Sequence, residues 1–243
     1  MPRPTATAPD PPAPKEGLSL IVLACNEAEN VAPVLEELLG WLREHEPAAE
    51  LLFVDDGSDD GTADLARQAL EGTDSKVLRH ARNRGIGAAI KTGTEAARHP
   101  WVTFMPADGQ IEPAAIGTLR ATAARDGCPL VLSVYEQRSD GGLRKTLSWG
   151  VRLLIRVLHG VTLRCEGPYL FRRELFDADL LASDSFFLNF EFPIRVLRAG
   201  HEVSVAQIRC RPRIGGASKT ANIKTVFKVA ADLLRLRIRL FRE

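Results

Sequence analysis

Cysteine is scarce and scattered: Cys25, Cys128, Cys165 and Cys210 form no C-x-x-C pair and have no histidine at ligand spacing. That supports neither a zinc site nor a disulfide framework, and reduced thiols are expected. No run of about 18 apolar residues occurs, so no membrane-spanning helix is expected. Met1 to Glu16 is rich in Pro and Ala and lacks an apolar core, which reads as a disordered tail rather than a signal peptide. Charge of one sign is missing as well. The net charge is +1, which gives no case for nucleic acid as a partner. With 243 residues the chain can bury most of its apolar surface in one large domain without staples.

What is present is alternation. Leu18–Leu23 is a short, mostly apolar run suited to a buried parallel strand, and Val31, Val34, Leu35, Leu38, Leu39 and Leu42 then recur at helical spacing. Further strands are expected at 51–54, 76–79, 101–105 and 130–134. Helices are expected near 63–70, 86–97 and from Pro113 to about Arg125. Strands alternating with helices imply βαβ units and a mainly parallel sheet, whose ligands bind beyond the carboxyl ends of the strands. After Val134 the alternation fails. Helices are expected in 143–164, 186–197 and 223–242, with an extended stretch at 202–209. The expected organisation is a tail over 1–16, one domain over 17–219 and a basic amphipathic helix over 220–243.

Polar segments follow four of the strands. They are Asn26-Glu27, Val54-Asp-Asp-Gly-Ser-Asp-Asp-Gly-Thr62, Arg82-Asn-Arg-Gly-Ile-Gly-Ala-Ala-Ile-Lys91 and Pro106-Ala-Asp-Gly-Gln110. A carboxylate pair beside glycines suits a nucleoside, because carboxylates accept from base N–H groups and ribose hydroxyls and glycines permit close approach. The bland alternative is an acidic turn with a helix cap near Thr62. Gly85-Ile-Gly begins like a dinucleotide fingerprint, but the third glycine is missing and the segment follows the wrong strand.

Taken in order, the four segments resemble family 2 glycosyltransferases of the GT-A fold, over about residues 18–219, and in particular the dolichyl- and polyprenyl-phosphate mannosyl- and glucosyltransferases. The resemblance implies an α/β, GT-A-type Rossmann-like sheet flanked by helices. It also implies that Ala24, Asn26, Glu27, Asp55, Asp56, Arg84, Lys91, Ala107 and Asp108 line a sugar nucleotide. Asp55 and Asp56 would neighbour base and ribose, with Arg84 and Lys91 on the diphosphate side. Asp108, helped by Gln110, would approach Mg²⁺ or Mn²⁺. Two departures stand out. Leu23-Ala-Cys25 replaces the proline usual before N-E, and Pro106 replaces the first acid of D-x-D.

Downstream, Arg213-Ile-Gly-Gly-Ala-Ser-Lys219 resembles the R-x-x-G-x-S-K segment of those enzymes, so Arg213, Ser218 and Lys219 are expected on diphosphate or lipid phosphate. Gly167–Arg173 resembles their acceptor-side stretch, implicating Tyr169 and Arg172. Asn189-Phe-Glu191 stands where the family often has D-x-E, so Glu191 is the candidate to take a proton from a hydroxyl acceptor. Asp108, Glu191, Arg213 and Lys219 form the expected catalytic set.

Lys145, Ser148, Arg152, Arg156 and His159 make one polar stripe on an otherwise apolar helix. Lys224, Lys228, Asp232, Arg235, Arg239 and Arg242 make another. Basic amphipathic helices dock on anionic bilayers, whereas the alternative is packing on the domain or a second subunit. The expected function is inverting transfer of a sugar from a UDP- or GDP-sugar to a polyprenyl phosphate, peripheral on the cytoplasmic face of a membrane. The alternatives are a soluble transferase acting on a hydroxyl and a non-catalytic nucleotide-sugar binder.

Overall fold

The computed structural model describes residues 16–136, 142–211 and 223–242. The chain runs β1 (Leu18–Ala24), α1 (Ala28–His45), β2 (Glu50–Asp55), α2 (Thr62–Ala69), β3 (Lys76–Arg79), α3 (Ile86–Ala96), β4 (Trp101–Pro106) and α4 (Ala114–Asp126). It continues through β5 (Leu130–Tyr135), α5 (Gly142–His159), β6 (Leu170–Arg172), α6 (Leu188–Arg198), β7 (Val203–Ile208) and α7 (Ile223–Arg242). One sheet holds the strands in the order β3-β2-β1-β4-β6-β5-β7. Among the described strands only β6 is antiparallel to its neighbours, so the sheet is mainly parallel as the alternation implied.

Side chains alternate across a strand, and β1 shows it. Leu18, Leu20 and Val22 enter a core with α1, α2 and α4, while Ile21 and Leu23 enter a second core with α3, α5, α6 and α7. Both faces are therefore covered, which is why β1 is apolar at every position but Ser19. The expected tail meets the structure only at Glu16. That residue is exposed but tied to the sheet: it pairs with Arg172 and accepts from Trp101 Nε1 at 3.2 Å.

The chain reverses its order of strand addition between β1 and β4, and that reversal positions the site. Backbone bonding continues one residue past the strands, from Asp56 N to Ala24 O, Ala107 N to Leu23 O and His80 N to Asp55 O, at 2.8–2.9 Å. The turns carrying the four polar segments thus leave the sheet side by side.

Candidate active site

The turns after β1 and β2 are laced by their own side chains. Asn26 adopts φ 54°, a conformation asparagine tolerates better than most residues. Its N–H donates to Ser58 Oγ at 2.9 Å, and its Oδ1 accepts from Asp59 N at 3.1 Å. Glu27 N donates to Thr62 Oγ1 at 3.0 Å. Asp60 accepts from Ala28 N and Thr62 N, both at 3.0 Å, and so puts one carboxylate on the first residues of two helices. Burial alone would raise its pKa, but the bonds from Thr62 and Ala28 hold it below the usual carboxylate range.

Both members of the acidic pair are buried and engaged within the protein. Asp55 accepts from the Ser58 N–H and hydroxyl and lies 3.1 Å from Arg79 Nε. Asp56 meets His80 Nδ1 at 2.7 Å and accepts from Arg84 N at 2.9 Å and Gly85 N at 2.8 Å. The second acid therefore draws the turn after β3 onto the turn after β2. Gly57 is required by that crossing, since a Cβ there would lie 2.3 Å from the carbonyl carbon of Arg82.

Asp108 lies just past β4, buried to 5% exposure, and accepts from Gln110 N at 3.1 Å. Arg211 anchors the end of the β7 segment here, donating from Nε to Gly109 O at 2.8 Å and from its backbone N to Gln110 O at 2.9 Å. Among the described residues no group of three His, Cys, Asp or Glu side chains could hold a metal ion. Asp108 and Gln110 are thus a partial oxygen set. It suits a hard divalent cation only when diphosphate and water complete the shell.

The two cations expected on the diphosphate side, Arg84 and Lys91, meet a carboxylate that the sequence alone did not point to. Lys91 Nζ lies 2.8 Å from Asp184 Oδ1 and donates to Leu181 O at 2.6 Å, and Arg84 Nη2 lies 3.7 Å from Asp184 Oδ2. The segment 181–185 lies across the start of α3, where Ala88 N donates to Asp184 O at 3.0 Å. A Cβ on Gly85 or Gly87 would approach the Asp184 or Ser185 carbonyl oxygen to 2.5 or 2.6 Å. In this structure those glycines serve a backbone contact, which accounts for the incomplete dinucleotide fingerprint. Nothing local to Asp184 betrays this role, because its partners lie more than 90 positions upstream.

Three expectations need correction. Tyr169 is fully buried among Phe104, Phe171 and Phe192, so it packs the core rather than lining an acceptor. Arg172 sits opposite Trp101 at the start of β4, over the indole ring at 4.4 Å. That is the far end of the sheet, roughly 20 Å along the strand from Asp108. Glu191 is 1% exposed and accepts from Ala182 N at 3.1 Å and Ser183 N at 3.0 Å. Arg239 Nη1 adds a bond at 3.2 Å and Arg195 Nε lies at 3.7 Å, so this carboxylate is not placed to take a proton from an acceptor. Arg213, Ser218 and Lys219 lie outside the described residues.

The two basic helices pack on one another and on the second core through Ile155, Val229, Leu233 and Leu236. His159 departs from the expected outward stripe. It is buried and pairs through Nε2 with Leu233 O at 3.2 Å, which makes Nε2 the donor. Burial pushes its pKa down, and Arg198 and Arg237 add to that. Each helix also turns apolar residues outward: Trp149, Leu153 and Val157 on α5, and Leu234, Ile238 and Phe241 on α7, between 44% and 83% exposed. Beside the first group lies an open cavity of about 400 Å³ lined by Trp149, Arg152, Leu153, Arg156, Thr162 and Arg164. Among the described residues these arginines have no ion pair. No described helix is long and apolar enough to cross a membrane.

A family model described as Glycosyl transferase family 2 matches residues 19–180. A dodecaprenyl-phosphate galacturonate synthase of Rhizobium johnstonii is 33% identical over 153 residues, 62% of this chain and 45% of that protein. A dolichyl-phosphate beta-glucosyltransferase of Trichomonas vaginalis is 27% identical over 90% of this chain and 70% of its own length. The chain spans about half the length of most of the curated relatives it matches. Among solved structures, glucosyl-3-phosphoglycerate synthase from Mycobacterium tuberculosis, in complex with Mn²⁺, UDP-glucose and phosphoglyceric acid, superposes with a TM-score of 0.68. It is 19% identical and covers 91% of this chain and 78% of that one, a likeness of fold.

Proposed function

We propose a function from one established premise: the chain belongs to glycosyl transferase family 2. It transfers a sugar from a UDP- or GDP-sugar to a polyprenyl phosphate, with inversion, at a membrane surface. The observation that carries the donor half is the meeting of four polar turns at the β1–β4 edge of the sheet. Support for the acceptor half comes from relatives named as polyprenyl-phosphate transferases and from the outward apolar and arginine-lined faces of α5 and α7.

The turns after β1 and β2 form a rigid floor for the nucleoside. Arg84 and Lys91 exchange Asp184 for the donor diphosphate, a trade of one anion for another of higher charge. Asp108 and Gln110 would hold a divalent cation, which would supply charge neutralisation at the leaving group. Arg213, Ser218 and Lys219 add donors to the same phosphates or to the acceptor's. A phosphate acceptor is already anionic, so no base has to take its proton, which suits an enzyme whose Glu191 is occupied elsewhere.

The test is a panel of UDP- and GDP-sugars incubated with polyprenyl phosphate in detergent, read by mass spectrometry. Glycosyl polyprenyl phosphate is the expected product. A product formed only on free saccharides would reject the lipid acceptor.

A further inference from the structure

The C-terminal helix and the diphosphate-side cations touch none of the same atoms, yet an unbroken run of contacts joins them. Arg239 on α7 donates to Glu191 Oε1 at 3.2 Å. Glu191, in the first turn of α6, accepts the backbone N–H groups of Ala182 and Ser183 with its two oxygens, one each. The next residue, Asp184, pairs with Lys91, lies near Arg84 and receives Ala88 N on its carbonyl. The glycines at 85 and 87 let the segment lie directly against the start of α3, where a Cβ on either would collide with it.

A buried carboxylate with two amide donors is strongly directional, and losing a charged partner leaves it under-compensated. Among the described residues, Arg239 is the charged partner of Glu191 that comes from another helix, because Arg195 lies one turn along the same helix. Seating α7 therefore completes the set of donors that fixes 181–185.

We propose that Glu191 and Arg239 are positioning residues that lock segment 181–185 over Lys91 and Arg84, so that the seating of α7 sets affinity for the donor diphosphate. The donor part rests on the reading of Lys91 and Arg84 given above; the lock does not. A bulk fold element would affect stability alone, whereas this pair acts on one segment and one ligand group.

The full chain is compared as wild type, Arg239→Ala, Arg239→Lys and Glu191→Gln, with Arg235→Ala as a control. Arg235 sits on the same helix and pairs with Asp232. Hydrogen exchange is read at the amides of Ala182, Ser183 and Ala88, and UDP and GDP binding is titrated without membrane. In Arg239→Ala and Glu191→Gln, protection at those three amides should fall, and the nucleoside diphosphate Kd should change by about tenfold. Arg239→Lys should recover part of both, and Arg235→Ala should match wild type. Unchanged protection in both variants overturns the lock. Lost protection with unchanged Kd overturns the link to the donor. Lost protection in a protein whose wild type binds neither nucleotide leaves the lock standing and removes the diphosphate reading beneath it.

Discussion

The turns in the half of the molecule from β1 to α4 and the outer face of α5 in the other half treat their polar groups in opposite ways. In the first half, carboxylates and hydroxyls close on neighbouring backbone: Asp60 on two helix starts, Asp56 on the turn after β3, Ser58 on Asn26. In the second, arginines 152, 156 and 164 line an open cavity beside outward apolar residues. A surface that satisfies itself is built to hold a shape. One that leaves cations and apolar area outside is built to meet a partner. Self-satisfied turns suit a nucleotide floor, and the unsatisfied face suits an anionic amphiphile.

The contrast breaks first at Asp108. Asp108→Ala should cost about 100-fold or more in turnover, since on the proposed reading it removes the carboxylate that holds the cation. Gln110→Ala should cost much less, because an amide coordinates without neutralising. Steady-state rates with and without EDTA check this, and full activity in EDTA would reject the cation.

Next in size is the outward face. Replacing Arg152, Arg156 and Arg164 together by alanine should weaken binding to anionic vesicles on the order of 100-fold, at about 1 kcal/mol for each cation. Nucleotide affinity should hold. Cosedimentation at two salt concentrations measures the first and calorimetry the second. Equal loss of both would mean that the halves are not separate in function.

Gly87→Ala should destabilise by about 1–3 kcal/mol through overpacking against Ser185. Thermal unfolding would show it as a drop of several degrees in Tm.

The smallest expected effect belongs to His159. Its folded pKa lies below the unfolded value of 6.5, so the unfolded chain binds the extra proton first. The stability it contributes is fully present above 6.5 and is lost as pH falls from there through the lower folded pKa. Proteolysis of α7 should therefore quicken in mildly acidic buffer, and His159→Gln should flatten the dependence.

Most of the first half was legible because each element there carries a local pattern. A strand buried on both faces is an apolar run, and α1 repeats at helical spacing. The end of α7 was legible from periodicity alone, although not its two apolar faces. β6 escaped because three residues are too few for a period and because its stretch resembled an acceptor motif. Tyr169 and Arg172 were misplaced for that reason, since an antiparallel strand carries its residues away from the edge where its motif begins. Asp55 and Asp56 were legible as important but not as internal anchors. The Asp184–Lys91 contact joins residues 93 positions apart, beyond the reach of any local pattern.

That three-residue strand also dictates an order of assembly. β6 lies between β4 and β5, so the sheet stays in two pieces until residue 172 has left the ribosome. Until then β4 presents a bare, apolar hydrogen-bonding edge, the kind that recruits other chains. The interval is the time needed to synthesise about 66 residues beyond Pro106, several seconds at cellular rates. Conditions that slow translation through α5 should accordingly lower soluble yield more than equal slowing after β6.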